Sequence, residues 1–158
     1  MREGRRSMNI TLAQAADIPA LCALLNLLFT QEADFSPDAE AQRRGLALIL
    51  DDPAVGEILV ARRDGRVLGM VSLLYSVSTA LGARVAWLED MIVHPEARDA
   101  GVGAALLRRA LALARERGCK RITLLTDRDN DAAQRFYRRQ GFRPSAMVPL
   151  RLLLADEV

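Results

Sequence analysis

Apolar and polar positions change period along this chain, and the changes outline its elements. Residues 9–13 read as a short opening strand. Asp17 then serves as an N-cap for a helix running to Phe29, with Pro19 tolerated in its first turn. Ser36 and Pro37 supply an N-cap and a first helical residue for a second helix ending near Leu50, where Asp51, Asp52 and Pro53 stop it. Residues 57–61 and 66–76 are strand-like, and Arg62-Arg63-Asp64-Gly65 joins them as an Asp-Gly hairpin signal. A third such strand covers residues 84–93. Over residues 103–117 the period lengthens. Leu106, Leu107, Ala110, Leu111 and Ala114 fall on one side, Arg108, Arg109, Arg115 and Glu116 on the other, and Gly118 lies just past the end. Residues 121–125 predict a strand, 131–139 a short helix, and Phe142 onward one or two closing strands. The order predicts an α/β domain of the α+β type, with a mixed, mostly antiparallel central sheet flanked by about four helices.

Composition narrows the function classes. The chain has 158 residues, 51% hydrophobic and 27% charged, which suits one folded domain. Twenty-two Lys and Arg against 20 Asp and Glu leave a net charge of +2, and aromatics make up 4%. Neither value favours a nucleic-acid partner. Cys22 and Cys119 lie far apart and there is a single His, so neither a disulfide framework nor a metal site is expected. The longest apolar-rich run, residues 18–29, is broken by Pro19, Cys22 and Asn26 and is too short to span a bilayer. The basic residues 1–7 precede no signal-peptide core. The expectation is a cytoplasmic protein with a disordered leader over residues 1–7, Met8 as a second candidate start, and one domain over 8–158.

Chemistry concentrates after the third strand. Val93 ends it, a short turn follows, and Arg98, Gly101 and Gly103 lead into the long helix. Glycines there let the backbone approach a ligand and turn its N–H groups outward. The helix N-terminus behind them suits a phosphate, and Arg98 adds a charge-assisted contact. The segment lacks the Gly-Lys-Ser/Thr of a Walker A loop and the spacing of a dinucleotide fingerprint. Taken alone, it could be a turn that only packs helix on sheet.

A second segment changes that reading. Arg98-x-x-Gly101-x-Gly103, followed by Asn130-x-x-Ala133-x-x-Phe136-Tyr137-x-x-x-Gly141-Phe142, resembles the GNAT superfamily of N-acetyltransferases in order and separation. The opening strand, paired N-terminal helices and Asp-Gly hairpin match as well. The resemblance implies acetyl-coenzyme A as donor and no metal. It assigns the pyrophosphate loop to Arg98, Asp99, Ala100, Gly101, Val102, Gly103 and Ala104. The backbone of Met91, Ile92 and Val93 would take the pantetheine arm like an added strand, and Asn130 would hydrogen-bond it. Asp99 departs from the glycine common in the family. A carboxylate beside a pyrophosphate must face solvent or reduce affinity.

Acetylating an amine requires a neutral nitrogen, a polarised thioester and a proton for the leaving thiolate. A lysine-type ammonium titrates near ~10.4, so a carboxylate has to remove its proton. The strand V-A-W-L-E-D-M-I-V holds two carboxylates among apolar residues. Strict alternation puts Trp87, Glu89, Met91 and Val93 on one face and Leu88, Asp90 and Ile92 on the other. Glu89 matches the family's general base and Tyr137 its general acid, with Asp90 holding substrate or a neighbouring element. Backbone N–H groups near Ile92 and Val93 would polarise the carbonyl. His94 reads as a cap beside Pro95, and the two cysteines as helix and helix-end thiols.

In this family the acceptor enters between the first two helices and the C-terminal strands, here residues 28–38 facing 147–150. Phe29, Glu32 and Asp34 line that side with Asp90, and Asp38 and Glu40 add to its acidity, which favours a cationic amine. The reading is direct transfer to a small primary amine in a ternary complex, by a protein that forms a homodimer through strand edges near 147–154. A protein lysine or N-terminal amine is the alternative acceptor. A non-catalytic acyl-coenzyme A sensor is disfavoured by the presence of Glu89, Asn130 and Tyr137 together.

Overall fold

The computed structural model describes residues 8–29, 38–98 and 101–155, with the backbone alone for Phe29. Residues 1–7, Glu32, Asp34, Asp99 and Ala100 therefore lie outside the described residues. The chain divides into two units, Met1–Leu125 and Thr126–Val158.

The first unit holds a five-stranded sheet in the order β1-β2-β3-β4-β5. Its strands are β1 (Asn9–Leu12), β2 (Gly56–Arg63), β3 (Arg66–Ser78), β4 (Ala83–Val93) and β5 (Ile122–Leu124), with helices α1 (Ile18–Phe29), α2 (Ala39–Leu50) and α3 (Val102–Glu116). All neighbours are antiparallel except β4 and β5, which run parallel across the α3 crossover. The β2–β3 hairpin turns as its sequence predicts. Asp64 and Gly65 both take positive φ, 53° and 75°, the twist that a tight antiparallel hairpin needs.

Two apolar layers cover the sheet. Leu21, Leu24 and Leu25 of α1 and Leu46 of α2 pack on Ile58, Val60, Met70 and Ile92. On the opposite face Leu106, Leu107, Ala110 and Leu113 of α3 are fully buried. Polar ties fix the helices to the strands. Asp17 is not a simple N-cap: it accepts from the Gln14 N–H at 2.8 Å within a 3-10 turn and also takes a hydrogen bond from Arg62 of β2. Asp38, not Ser36, caps α2, accepting from the Ala41 N–H at 3.0 Å. Glu57 of β2 is buried and receives Arg117 Nε at 2.6 Å, Arg117 Nη2 at 3.0 Å and the Tyr75 hydroxyl at 2.7 Å. These bonds tie the C-terminal end of α3 to two strands.

The alternation predicted for β4 is broken. Ser72 pairs with Glu89, but Met70 pairs with Ile92, so Asp90 and Met91 together oppose Val71. This β-bulge reverses the face parity of every residue after it. Trp87 and Glu89 share a face with Ile92 rather than with Met91 and Val93.

In the second unit, α4 (Asp131–Arg139) starts at Asn130, whose Oδ1 accepts from the Ala133 N–H at 3.1 Å. Gly141 ends it with φ 102°, and the Phe142 N–H returns to the Tyr137 carbonyl at 3.1 Å. The closing strands expected after Phe142 do not form among the described residues 143–155. Pro144 and Pro149 remove ladder donors there, and the Met147 N–H bonds the Ser145 hydroxyl at 3.1 Å instead.

Candidate active site

The candidate residues of the first unit that the structure describes cluster in sequence around the C-terminal end of β4. β5 pairs with β4 only over Ala86, Trp87 and Leu88. From Glu89 to Val93, β4 therefore has β3 on one side and no strand partner on the other among the described residues. A β-edge leaves backbone N–H and C=O groups able to pair with an extended ligand. Met91, Ile92 and Val93 fall on that edge.

The N-terminus of α3 lies next along the chain. Gly101 sits in the left-handed region at φ 76°, caps α3 without any side-chain bond, and would place a Cβ in open space. The Ala105 N–H is the donor that closes on the Gly101 carbonyl, at 3.1 Å. The amides of Val102, Gly103 and Ala104 thus belong to the first turn, whose N–H groups lack intrahelical partners. No acidic side chain occupies that turn, so none within it opposes the positive end of the helix dipole. Arg98 is exposed one step before. This donor set fits a diphosphate.

Gly69, which sequence reasoning passed over, sets the approach of α3 to this edge. A Cβ on it would lie 2.9 Å from the Ile92 carbonyl oxygen, 2.9 Å from Leu106 Cδ1 and 3.4 Å from Val102 Cγ1. Only a glycine admits the first turns of α3 so close to β4. No sequence motif marks it.

The two carboxylates differ sharply. Glu89 is exposed and in regular register. Asp90 is half-buried at the bulge, with φ 51°. Burial first, and the neighbouring charge of Glu89 second, push its carboxyl up to about 6. Opposite Glu89, Ser72 is fully buried and its Oγ has no hydrogen-bond partner. No sequence motif marks this buried hydroxyl opposite Glu89.

On the helical side, Gln42 of α2 donates to Asn26 Oδ1 of α1 at 3.0 Å, while its own Oε1 has no partner although buried. The acidity expected there is partly consumed locally: Asp38 caps α2, and Glu40 pairs with Arg43 at 3.3 Å. His94 behaves as expected, its Nδ1 accepting from the Glu96 N–H at 3.2 Å. Cys22 is buried and Cys119 half-buried, both as free thiols. Among the described residues no acidic, His or Cys group could hold a metal ion.

In the second unit, Tyr137 packs edge-on between Phe136 and Phe142, with ring centroids 5.2 and 5.7 Å away. Burial raises its phenol above the usual value, so it stays protonated at neutral pH. Capping α4 occupies the Asn130 side-chain carbonyl and leaves its NH2 group for another partner.

Comparison with known proteins agrees with this geometry. The chain is 32% identical over 137 residues to an uncharacterized N-acetyltransferase, YhfO, of Bacillus subtilis, covering 85% of this chain and 89% of that protein. It is 32% identical over 133 residues to the aminoalkylphosphonate N-acetyltransferase of Salmonella typhimurium, covering 84% and 83%. The crystal structure of a probable acetyltransferase superposes with a TM-score of 0.81 at 30% identity, over 94% of this chain and 99% of the other. The sequence pattern of the Acetyltransferase (GNAT) family matches residues 18–142. The chain belongs to the GNAT family of acyltransferases.

Proposed function

We propose that this enzyme transfers an acetyl group from acetyl-coenzyme A directly to the primary amine of a small molecule. One observation carries the reading: the unpaired edge of β4 from Glu89 to Val93 leads, through Arg98, to the uncapped first turn of α3 at Gly101. An extended arm ending in a diphosphate suits that sequence of donors. When bound, acetyl-coenzyme A supplies an activated acetyl thioester. Arg98 and the amides of Gly101, Val102, Gly103 and Ala104 hold its phosphates, and the family's motif extends the assignment to Asp99 and Ala100. The edge of Met91, Ile92 and Val93 holds the arm and offers N–H groups to the thioester carbonyl. Asn130 bonds the arm through its NH2 group.

A carboxylate of β4 removes the ammonium proton, the family match pointing to Glu89 with Asp90 holding substrate or a neighbouring element, and Tyr137 protonates the leaving sulfur. The raised phenol supports the latter role, because Tyr137 keeps its proton until a thiolate appears beside it. Phe29, Glu32 and Asp34 line the acceptor side. A small acceptor is supported by the aminoalkylphosphonate specificity named for one relative. A homodimer built on residues 147–154 is supported by their exposed Met147, Val148, Leu150, Leu152, Leu153 and Leu154.

Calorimetry with coenzyme A, followed by an amine-library screen reading thiol release, tests the proposal. Binding that weakens in Arg98→Ala and Gly101→Ala is expected. Tyr137→Phe should lose about 10²-fold in turnover with coenzyme A affinity retained. No heat from coenzyme A, or an Arg98→Ala protein identical to the parent, would overturn it.

A further inference from the structure

The β4 bulge separates the roles of its two carboxylates. Ser72 and Glu89 remain in regular register, whereas Asp90 and Met91 share one partner, Val71. Asp90 is the bulged residue in the left-handed region; the other described non-glycine with positive φ, Asp64, sits in a hairpin turn. Asp tolerates that backbone at some cost, and such strain inside a strand marks a position where a side chain is re-aimed. Asp90 is also half-buried at the first stretch of β4 free of β5, while Glu89 is exposed.

We propose that Asp90, re-aimed by the bulge, is the proton acceptor for the substrate ammonium, and that Glu89 acts on it as a charged neighbour rather than as the base. This rests on the N-acetyltransferase reading above and assigns the proton step within it. The ammonium N–H bond breaks with its electron pair left on nitrogen, and Asp90 takes the proton and later releases it to solvent. The C–N bond forms as the C–S bond breaks. Tyr137 gives its proton to sulfur and recovers one from the nitrogen of the new amide.

The electrostatic surroundings support this division. α1 carries no ionisable side chain except through Cys22, which lies in the apolar core. β3 faces the bulge with Gly69, Met70, Val71 and Ser72, and β5 contributes Ile122, Thr123 and Leu124. On α3, Arg108, Arg115 and Glu116 are exposed and Arg109 pairs with Glu116. His94 is engaged with the Glu96 amide. Among the described residues the charge acting on Asp90 is that of Glu89, and with burial it raises the carboxyl to about 6 from 3.8. A base poised there is ionised at neutral pH and accepts a proton about 10²-fold more favourably than an unperturbed aspartate.

Carboxyl carbon titration by NMR in the ligand-free protein, together with pH profiles of kcat/KM for the parent, Asp90→Asn and Glu89→Gln, tests the assignment. Asn also tolerates left-handed backbone, and Asp90→Gly serves as a second variant if Asn distorts the strand. Expected are an Asp90 carboxyl titrating near 6 and moving to lower pH in Glu89→Gln. The acidic limb of kcat/KM should follow that shift in Glu89→Gln and vanish in Asp90→Asn, with a rate loss of about 10²-fold or more. The proposal is overturned if Glu89→Gln abolishes the limb while Asp90→Asn merely moves it, or if Asp90 titrates near 4. Should the parent acetylate no amine while Asp90 titrates near 6, the N-acetyltransferase reading itself fails, and the base role falls with it.

Discussion

Asp90 combines two features that a strand residue ordinarily avoids, a left-handed backbone and a half-buried carboxyl. Both lower stability, and the second does so in a pH-dependent way. Because its native carboxyl titrates above the unfolded value, Asp90 binds its proton more tightly when folded, and its destabilising contribution grows as pH rises from about 3.8 through 6. Asp90→Asn should therefore be more stable than the parent at pH 8, by on the order of 1–3 kcal/mol, with a higher melting temperature and a gain that fades toward pH 4. A melting-temperature difference that ignores pH would contradict this. Asp17 behaves oppositely. The hydrogen bond from Arg62 holds its carboxyl below the usual value, so its contribution is complete above pH ~4 and is lost as pH falls through the lowered native value. Arg62→Ala should cost about 1 kcal/mol at pH 7, since the pair is only partly shielded. That difference should shrink below pH ~3.5 in acid titrations followed by circular dichroism.

At the scale of elements, the junction of β3, β4 and α3 decides whether the site exists. Gly69→Ala would push a methyl against the Ile92 carbonyl oxygen and Leu106. The backbone atom cannot yield cheaply, and a loss of about 1–3 kcal/mol in chemical denaturation is expected. The same variant should weaken coenzyme A binding, because α3 and the Ile92 edge must separate to accept the methyl. At the far end of α3, Glu57 is buried while the Arg117 side chain is 38% exposed. Arg117→Ala would leave that carboxylate with the Tyr75 hydrogen bond and the charge of Arg84. About 1–2 kcal/mol is expected, less than for a fully buried pair because water reaches the arginine. Glu57 lies below the usual carboxylate value, chiefly through its Arg117 hydrogen bonds. The cost should therefore be present at neutral pH and decline as pH falls below about 4.5.

Over the whole molecule, ligand linkage and self-association are the measurable consequences. Saturating coenzyme A should raise the melting temperature of the parent, and of Asp90→Asn equally, because residue 90 is not among the proposed phosphate donors. Leu150 is 95% exposed and Leu154 92%. Sedimentation should show association that Leu150→Lys together with Leu152→Lys reduces.

The sequence by itself determined the family, the order of elements from β1 to α4, the Asp-Gly hairpin and the end of α3 at Gly118. Each depends on neighbours within a few positions, where propensity, period and motif spacing act directly. The face of Glu89 relative to Met91 and Val93, the strain at Asp90, the need for Gly69 and the unpartnered Ser72 hydroxyl were decided by the tertiary structure. An inserted residue in one strand changes no local propensity, and it is felt only when β3 fixes the register opposite. The Gly69 contacts come from Ile92 of β4 and from Val102 and Leu106 of α3, separations over which no pattern in the sequence carries a steric constraint.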